Sequence, residues 1–328
     1  MTRNRNFLAL VIVILVVSLG ALSMRERPPT AERPLVFTAS GPNGVQQLHL
    51  QALTGQALSF TAETDGSRWP MLSPDGKLVG FVGKKNDYCV IGADGNGFRK
   101  LVDGGRRASW APDSRRLAIE VEVKEIHSVL IADVAGGAVT NLTNPRTESN
   151  EGSPMWSPDG RSIAIVRGDK ILVIDPQTTE PKFELNTPDG VKCTFPRWSS
   201  DGQWLLFLSS DVHEKYSLQK VRPADGKKVV IYGGALANEI QDPPSWSPDG
   251  KRILFWSRAG SGSAIYVVDA EGGPPSKLRG DEVCWNPRWS RDGKRIAFVG
   301  QAESLYVMNA DGSETRLIYP GATEDVSW

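Results

Sequence analysis

The sequence predicts an all-β fold: a seven-bladed β-propeller with four-stranded blades, its ring closed by pairing of the N- and C-terminal strands, preceded by an N-terminal hydrophobic helix. Three observations predict it. A turn motif recurs six times at intervals suited to one blade each. Every copy is followed by apolar runs separated by Gly-containing turns. The two ends of the chain carry complementary fragments of one further blade. Gly (33) and Pro (22) are plentiful among the 328 residues, and no long stretch keeps a 3.6-residue apolar period, a balance that favours short strands and tight turns.

The chain divides into three parts. Residues 1–24 read as a signal peptide or a signal anchor. After Arg3 and Arg5 comes an uncharged run from Asn6 to Met24 whose centre, Phe7 to Val17, is almost wholly apolar. A secretory apolar region is usually about 7–15 residues and a spanning helix needs about 20, so this run lies between the two. Ala21-Leu22-Ser23 offers the small residues that a signal peptidase reads. Residues 25–34, with Pro28, Pro29 and Pro34, read as a linker. Residues 35–328 are the propeller. The expected location is therefore extracytoplasmic, periplasmic or at the cell surface, with membrane contact only through the N-terminal segment.

The repeat reads Leu72-Ser73-Pro74-Asp75-Gly76, Trp110-Ala111-Pro112-Asp113-Ser114, Trp156-Ser157-Pro158-Asp159-Gly160, Trp198-Ser199-Ser200-Asp201-Gly202, Trp246-Ser247-Pro248-Asp249-Gly250 and Trp289-Ser290-Arg291-Asp292-Gly293. Its aspartates advance in steps of 38, 46, 42, 48 and 43 residues, the period of one four-stranded blade. Ser, Pro, Asp and Gly in that order suit a type I turn followed by a left-handed glycine, so the Asp is explained by turn amides alone. Ser114 stands where the other copies have Gly, which predicts a strained or reshaped turn. After the turn comes a second strand, such as Ile163-Ala164-Ile165-Val166. A third, such as Ile265 to Asp269, ends at a turn like Ala310-Asp311-Gly312, and a short fourth run follows. No such repeat buries both its faces alone, which requires stacking in a ring.

Six motifs and seven blades are reconciled at the ends. Leu35 to Ser40, Gln46 to Leu53 and Ala57 to Thr61 read as the second, third and fourth strands of a blade without a first. Glu324 to Trp328 reads as a first strand without its turn. Joined, they complete the ring and remove its free edges.

The Trp-Ser-Pro-Asp-Gly turn, followed by Ile296-Ala297-Phe298-Val299 and Leu305-Tyr306-Val307-Met308-Asn309-Ala310-Asp311-Gly312, resembles the TolB-like (WD-like) propeller repeat over residues 35–328. The resemblance implies a scaffold that docks partners at the mouth of its central channel. Similar propellers gate serine peptidases, but no G-x-S-x-G nucleophile elbow occurs here, and neither a peptidase domain nor the N-terminal domain of TolB is expected. Others are lyases that hold a metal with several histidines. This chain has three, His49, His127 and His213, at wide spacing, so no metal and no cofactor are expected.

Other classes are disfavoured by composition. Lys plus Arg and Asp plus Glu both total 38, so no basic excess repays phosphate neutralisation, and nucleic acid is not an expected partner. Cys89, Cys193 and Cys284 form no zinc-type cluster and read as buried thiols. The Ser-Pro-Asp-Gly turns share one face of the propeller. Loops entering the first strands lie on the other face, which varies between repeats and is where binding is expected. Its candidate ligand-binding residues are Trp69, Arg106, Arg107, Glu151, Phe195, Glu239, Asp242, Asp281, Glu282, Trp285, Glu324 and Asp325. The carboxylates of the last three blades are expected to form one acidic sector of the rim, opposite Arg68, Arg106 and Arg107. The expected function is a non-enzymatic module that recognises a protein or peptide there. The alternatives are a metal-dependent lyase or other glycan-active propeller, and an architectural subunit of an envelope complex.

Overall fold

In the computed structural model, the described residues are 34–40, 44–53, 58–60, 66–143, 151–240, 242–259, 262–280, 283–321 and 323–328. The expected N-terminal hydrophobic segment and nearly all of the linker lie outside them. The strands assemble into seven four-stranded antiparallel sheets. Six are built from consecutive strands. Their first, innermost strands are Arg68–Leu72 (blade 2), Gly105–Trp110 (blade 3), Glu151–Trp156 (blade 4), Lys192–Trp198 (blade 5), Ser245–Trp246 (blade 6) and Trp285–Trp289 (blade 7).

Blade 1 joins the chain ends. Thr323–Ser327 pairs with Leu35–Ser40, which pairs with Gln46–Gln51 and then Leu58–Ser59. The closing register sets Val36 opposite Ser327 and Phe37 opposite Val326. The expected ring closure is thus observed, and with it the four-stranded seventh blade.

The core lies between blades. Each of the seven buried clusters takes residues from two neighbouring blades: Val82, Tyr88 and Val90 of blade 2 meet Leu117, Ile119 and Val121 of blade 3, and Leu35 and Phe37 of blade 1 meet Leu305 and Val307 of blade 7. A sheet sandwiched on both faces needs continuous apolar runs, which is why Leu205–Ser210 is buried at every position. The Trp that ends the inner strand extends this packing. The indole Nε1 of Trp110 donates to the carbonyl oxygen of Met71, that of Trp198 to Met155, and that of Trp246 to Arg197, at 3.0–3.2 Å and always into the preceding blade.

The repeated turn is held by its own side chains. The hydroxyls of Ser73, Ser157, Ser199, Ser247 and Ser290 donate to the aspartate two residues on, at 2.5–2.6 Å. In blade 3, where Ala111 replaces that serine, Ser114 takes the left-handed conformation at φ 59°. Its Oγ accepts the N–H of Asp75 from blade 2 at 3.0 Å, so the departure from Gly becomes an interblade tie.

These hydrogen bonds favour the ionised carboxylates. The Ser157 hydroxyl holds Asp159, and the Ser247 hydroxyl holds Asp249, below the ordinary aspartate range. A carboxylate whose pKa is lower folded than unfolded adds stability that is present above the unfolded value and lost as pH falls through the folded one. The melting temperature should therefore drop as pH is lowered below about 4. The Ser157→Ala/Ser247→Ala variant should be less stable at neutral pH yet show a shallower acid decline. Parallel melting curves for variant and wild type across that range would contradict this.

Candidate functional site

The inner strands of neighbouring blades contact one another around the axis and so line a central channel. They run from the variable face towards the turn face. At the turn-face end a cavity of about 390 Å³ is lined by residues of five blades, among them Pro74, Trp110, Trp246, Arg288 and Trp328. Arg291 spans this end, its Nη1 donating to the carbonyl oxygen of Pro74 at 2.9 Å, from blade 7 to blade 2.

Inside the channel, side-chain direction is set by a recurrent bulge. The pairing of the first and second strands slips between Arg68 and Met71, Gly105 and Ala108, Gly152 and Met155, Thr194 and Arg197, and Trp285 and Arg288. Trp69, Ser153, Phe195 and Asn286 sit in these bulges with φ between 51° and 57°. In all four the next residue is proline (Pro70, Pro154, Pro196 and Pro287), which has no N–H to give the ladder. The N–H freed at the bulge is caught by a carboxylate of the preceding blade. Trp69 N donates to Asp325 Oδ2 at 3.2 Å, and Ser153 N to Glu120 Oε2 at 2.8 Å. Gly152 packs beside the Glu120 carboxylate, and a Cβ there, 2.6 Å from the carboxylate oxygen, would make that side chain shift.

The bulge sends Arg197 and Arg288, the residues just before Trp198 and Trp289, to the channel wall. Arg197 responds to Arg288 and Arg107, which belong to blades 7 and 3, neither adjacent to blade 5. Such coupling crosses the axis. Burial first, then these two cations, push Arg197 down to about 10, so it remains charged at neutral pH. Arg288 is lowered by burial, against the attraction of Asp242 and Asp325. Asp325 is raised by burial, with the Trp69 N–H and Arg288 opposing and Glu324 and Asp242 reinforcing. The guanidiniums of Arg197 and Arg288 each donate to the carbonyl oxygen of the preceding proline, at 3.0 and 3.1 Å.

The residues expected to bind are therefore distributed unevenly. Arg107, exposed, lies over the Phe195 ring at 5.5 Å and donates to Ser153 Oγ at 3.4 Å, reaching from blade 3 across blade 4 to blade 5. Asp242 accepts from Trp256 Nε1 at 2.6 Å, and both it and Asp325 act on Arg288. Trp69 is 44% exposed, with Arg68 stacked on it at 5.5 Å. Trp285 is half-buried at the start of its inner strand. Glu239 is exposed at the end of the short 3₁₀ helix Ala235–Glu239, and Glu324 is exposed and accepts from Gln46 at 2.8 Å.

Two others are committed elsewhere. Arg106 pairs with Glu122 of its own blade at 2.6 Å. Glu151 is 3% exposed and pairs with Arg167 at 2.5 Å, so it is not a rim carboxylate. Asp281 and Glu282 lie outside the described residues. Arg197 and Arg288 are not among the residues expected to bind. The signal available was the Pro-Arg-Trp triplet shared by Pro196-Arg197-Trp198 and Pro287-Arg288-Trp289.

Among the described residues no three His, Cys, Asp or Glu side chains are grouped to hold a metal. His49 is buried, His127 is bound to Glu120 at 3.0 Å, and His213 is in an exposed loop. All three thiols are buried and unpaired, with Cys193 pushed up to about 12, chiefly by burial.

Seven four-stranded antiparallel sheets closed by pairing of the chain ends define a β-propeller. The TolB beta propeller domain matches residues 104–282, more than half of the chain, and the chain belongs to that family. Solved structures share the fold. TolB from Acinetobacter baumannii is 15% identical, with a TM-score of 0.55 over 92% of this chain and 67% of its own. An oligogalacturonate lyase in complex with manganese is 16% identical, with a TM-score of 0.69 over 88% of this chain and 86% of its own. A prolyl endopeptidase is 16% identical, with a TM-score of 0.66 over 90% of this chain and half of its own. In sequence, the uncharacterized peptidase YuxL of Bacillus subtilis (strain 168) is 30% identical over 128 residues, which are 34% of this chain but 18% of that protein. At these identities the structural likeness establishes the fold and leaves chemistry to the site.

Proposed function

We propose that this propeller is a non-enzymatic docking module that works outside the cytoplasm and receives a protein or peptide partner at the variable-face mouth of its channel. One observation carries the reading: aromatic and charged groups from five blades, Trp69, Arg107, Phe195, Asp242 and Asp325, lie in the inner strands or in the segments entering them, with Trp69 tied to Asp325 and Arg107 lying over Phe195. A rigid ring that presents varied side chains at one mouth is suited to recognition. The extracytoplasmic setting is supported by the apolar run Phe7 to Val17 behind Arg3 and Arg5.

The test is affinity capture from an envelope extract, comparing wild type with the Trp69→Ala/Glu239→Lys/Glu324→Lys variant, whose three side chains are exposed. A partner held by wild type should be reduced about tenfold or more by the variant, with an unchanged melting temperature. Equal capture by both proteins would move the binding face away from the mouth.

A further inference from the structure

We infer that the channel wall formed by Arg107 and Arg197 binds a carboxylate of the incoming partner, contributed by an acidic side chain or a chain terminus; this rests on the mouth being the docking face. The observations are geometric first. Arg107 reaches over Phe195, two residues from Arg197, so blades 3 and 5 place two guanidiniums on one stretch of wall. Among the described residues neither of these arginines, nor Arg288, forms an ion pair, whereas Arg106, Arg116, Arg167 and Arg222 each do.

Two carboxylates of the mouth, Asp242 and Asp325, are engaged elsewhere. Asp242 is bonded to Trp256 Nε1 and Asp325 to the Trp69 N–H, and both act on Arg288. Among the described residues, the charges acting on Arg197 are those of Arg288 and Arg107, both positive. Arg197 is bonded at one nitrogen to the Pro196 carbonyl oxygen, and the exposed Arg107 at one nitrogen to the Ser153 hydroxyl, so each keeps further N–H groups for a ligand. Two planar forks so placed match a carboxylate and lose little entropy on binding it.

Three probes separate the sources: acetyl-tetraalanine with a free C-terminus, its C-terminal amide, and an amidated alanine pentapeptide with one central glutamate. Binding is followed by heteronuclear NMR titration at constant ionic strength. The free acid, the glutamate peptide or both should bind saturably and shift channel resonances, with the fully amidated tetrapeptide weaker by about tenfold or more. Arg197→Gln should abolish the difference and Arg197→Lys should restore part of it. Arg107→Gln, on an exposed side chain, gives the same readout if Arg197→Gln fails to fold. Equal behaviour of acid and amide, or an undiminished preference in both glutamine variants, overturns the inference. So does tighter binding of free galacturonate than of any peptide. If Arg197→Gln captures the partner as wild type does, this inference fails and the mouth reading stands. If the mouth variant captures it fully, the broader reading fails whatever the peptides do.

Discussion

Ending the chain at Asp325 should open the ring and cost more stability than any single substitution in it. Val326 is 3% exposed and packs with Leu35, Phe37, Leu305 and Val307. Val326 and Ser327 face Phe37 and Val36 in the closing register, and Trp328 packs against the same cluster. Losing the buried aliphatic group and the partly buried indole costs about 3–5 kcal/mol by analogy with large-to-small core changes. Each ladder hydrogen bond lost adds about 0.5–1.5 kcal/mol. Val36 and Phe37, fully buried in Leu35–Ser40, would also lose their strand partners and become a free edge. An unpaired, apolar edge strand invites association, so the truncated protein should aggregate as well as melt early. Urea denaturation with size-exclusion chromatography measures both. A truncated chain that stays monomeric and melts with wild type would show that the closure contributes little.

Among single substitutions at the boundary of blades 4 and 5, Trp198→Ala should be the most damaging. The indole is 9% exposed, belongs to the cluster joining those blades, and donates to Met155 across the boundary at 3.2 Å. Emptying such a site costs about 3–5 kcal/mol. Trp198→Phe separates the contributions: it keeps most of the ring but leaves the Met155 carbonyl oxygen without its donor, at about 1–3 kcal/mol. Chemical denaturation of both variants should rank them in that order. Equal losses would assign the effect to the hydrogen bond, and a near-neutral alanine would remove the tryptophan from the interblade staple.

Both effects rest on features that are readable in the primary sequence because they are local and repeated. The Ser-Pro-Asp-Gly turn determines its own hydrogen bonds within five residues, so its period reports the blade and its copies the ring. The incomplete blade at each end identifies the closing pair for the same reason: the missing strand and the extra strand carry one pattern. The site is legible only in part. Distance from the turn predicts Trp69, Arg107, Phe195, Asp242 and Asp325 at the mouth, and the bulged inner strands and the loops entering them carry all five.

The remainder depends on register. A bulge shifts the inner strand by a residue, and a one-residue shift reverses which way every later side chain points. Thus Arg197 and Arg288, adjacent in sequence to buried tryptophans, become channel residues. Glu151, a rim acid by sequence, turns inward to Arg167. The number of blades, their order and their closure are written along the chain, since they follow from short-range turn chemistry and apolar alternation. The charge of the channel arises only on folding, because it is the sum of side chains from non-adjacent blades that meet across the axis and nowhere along the chain.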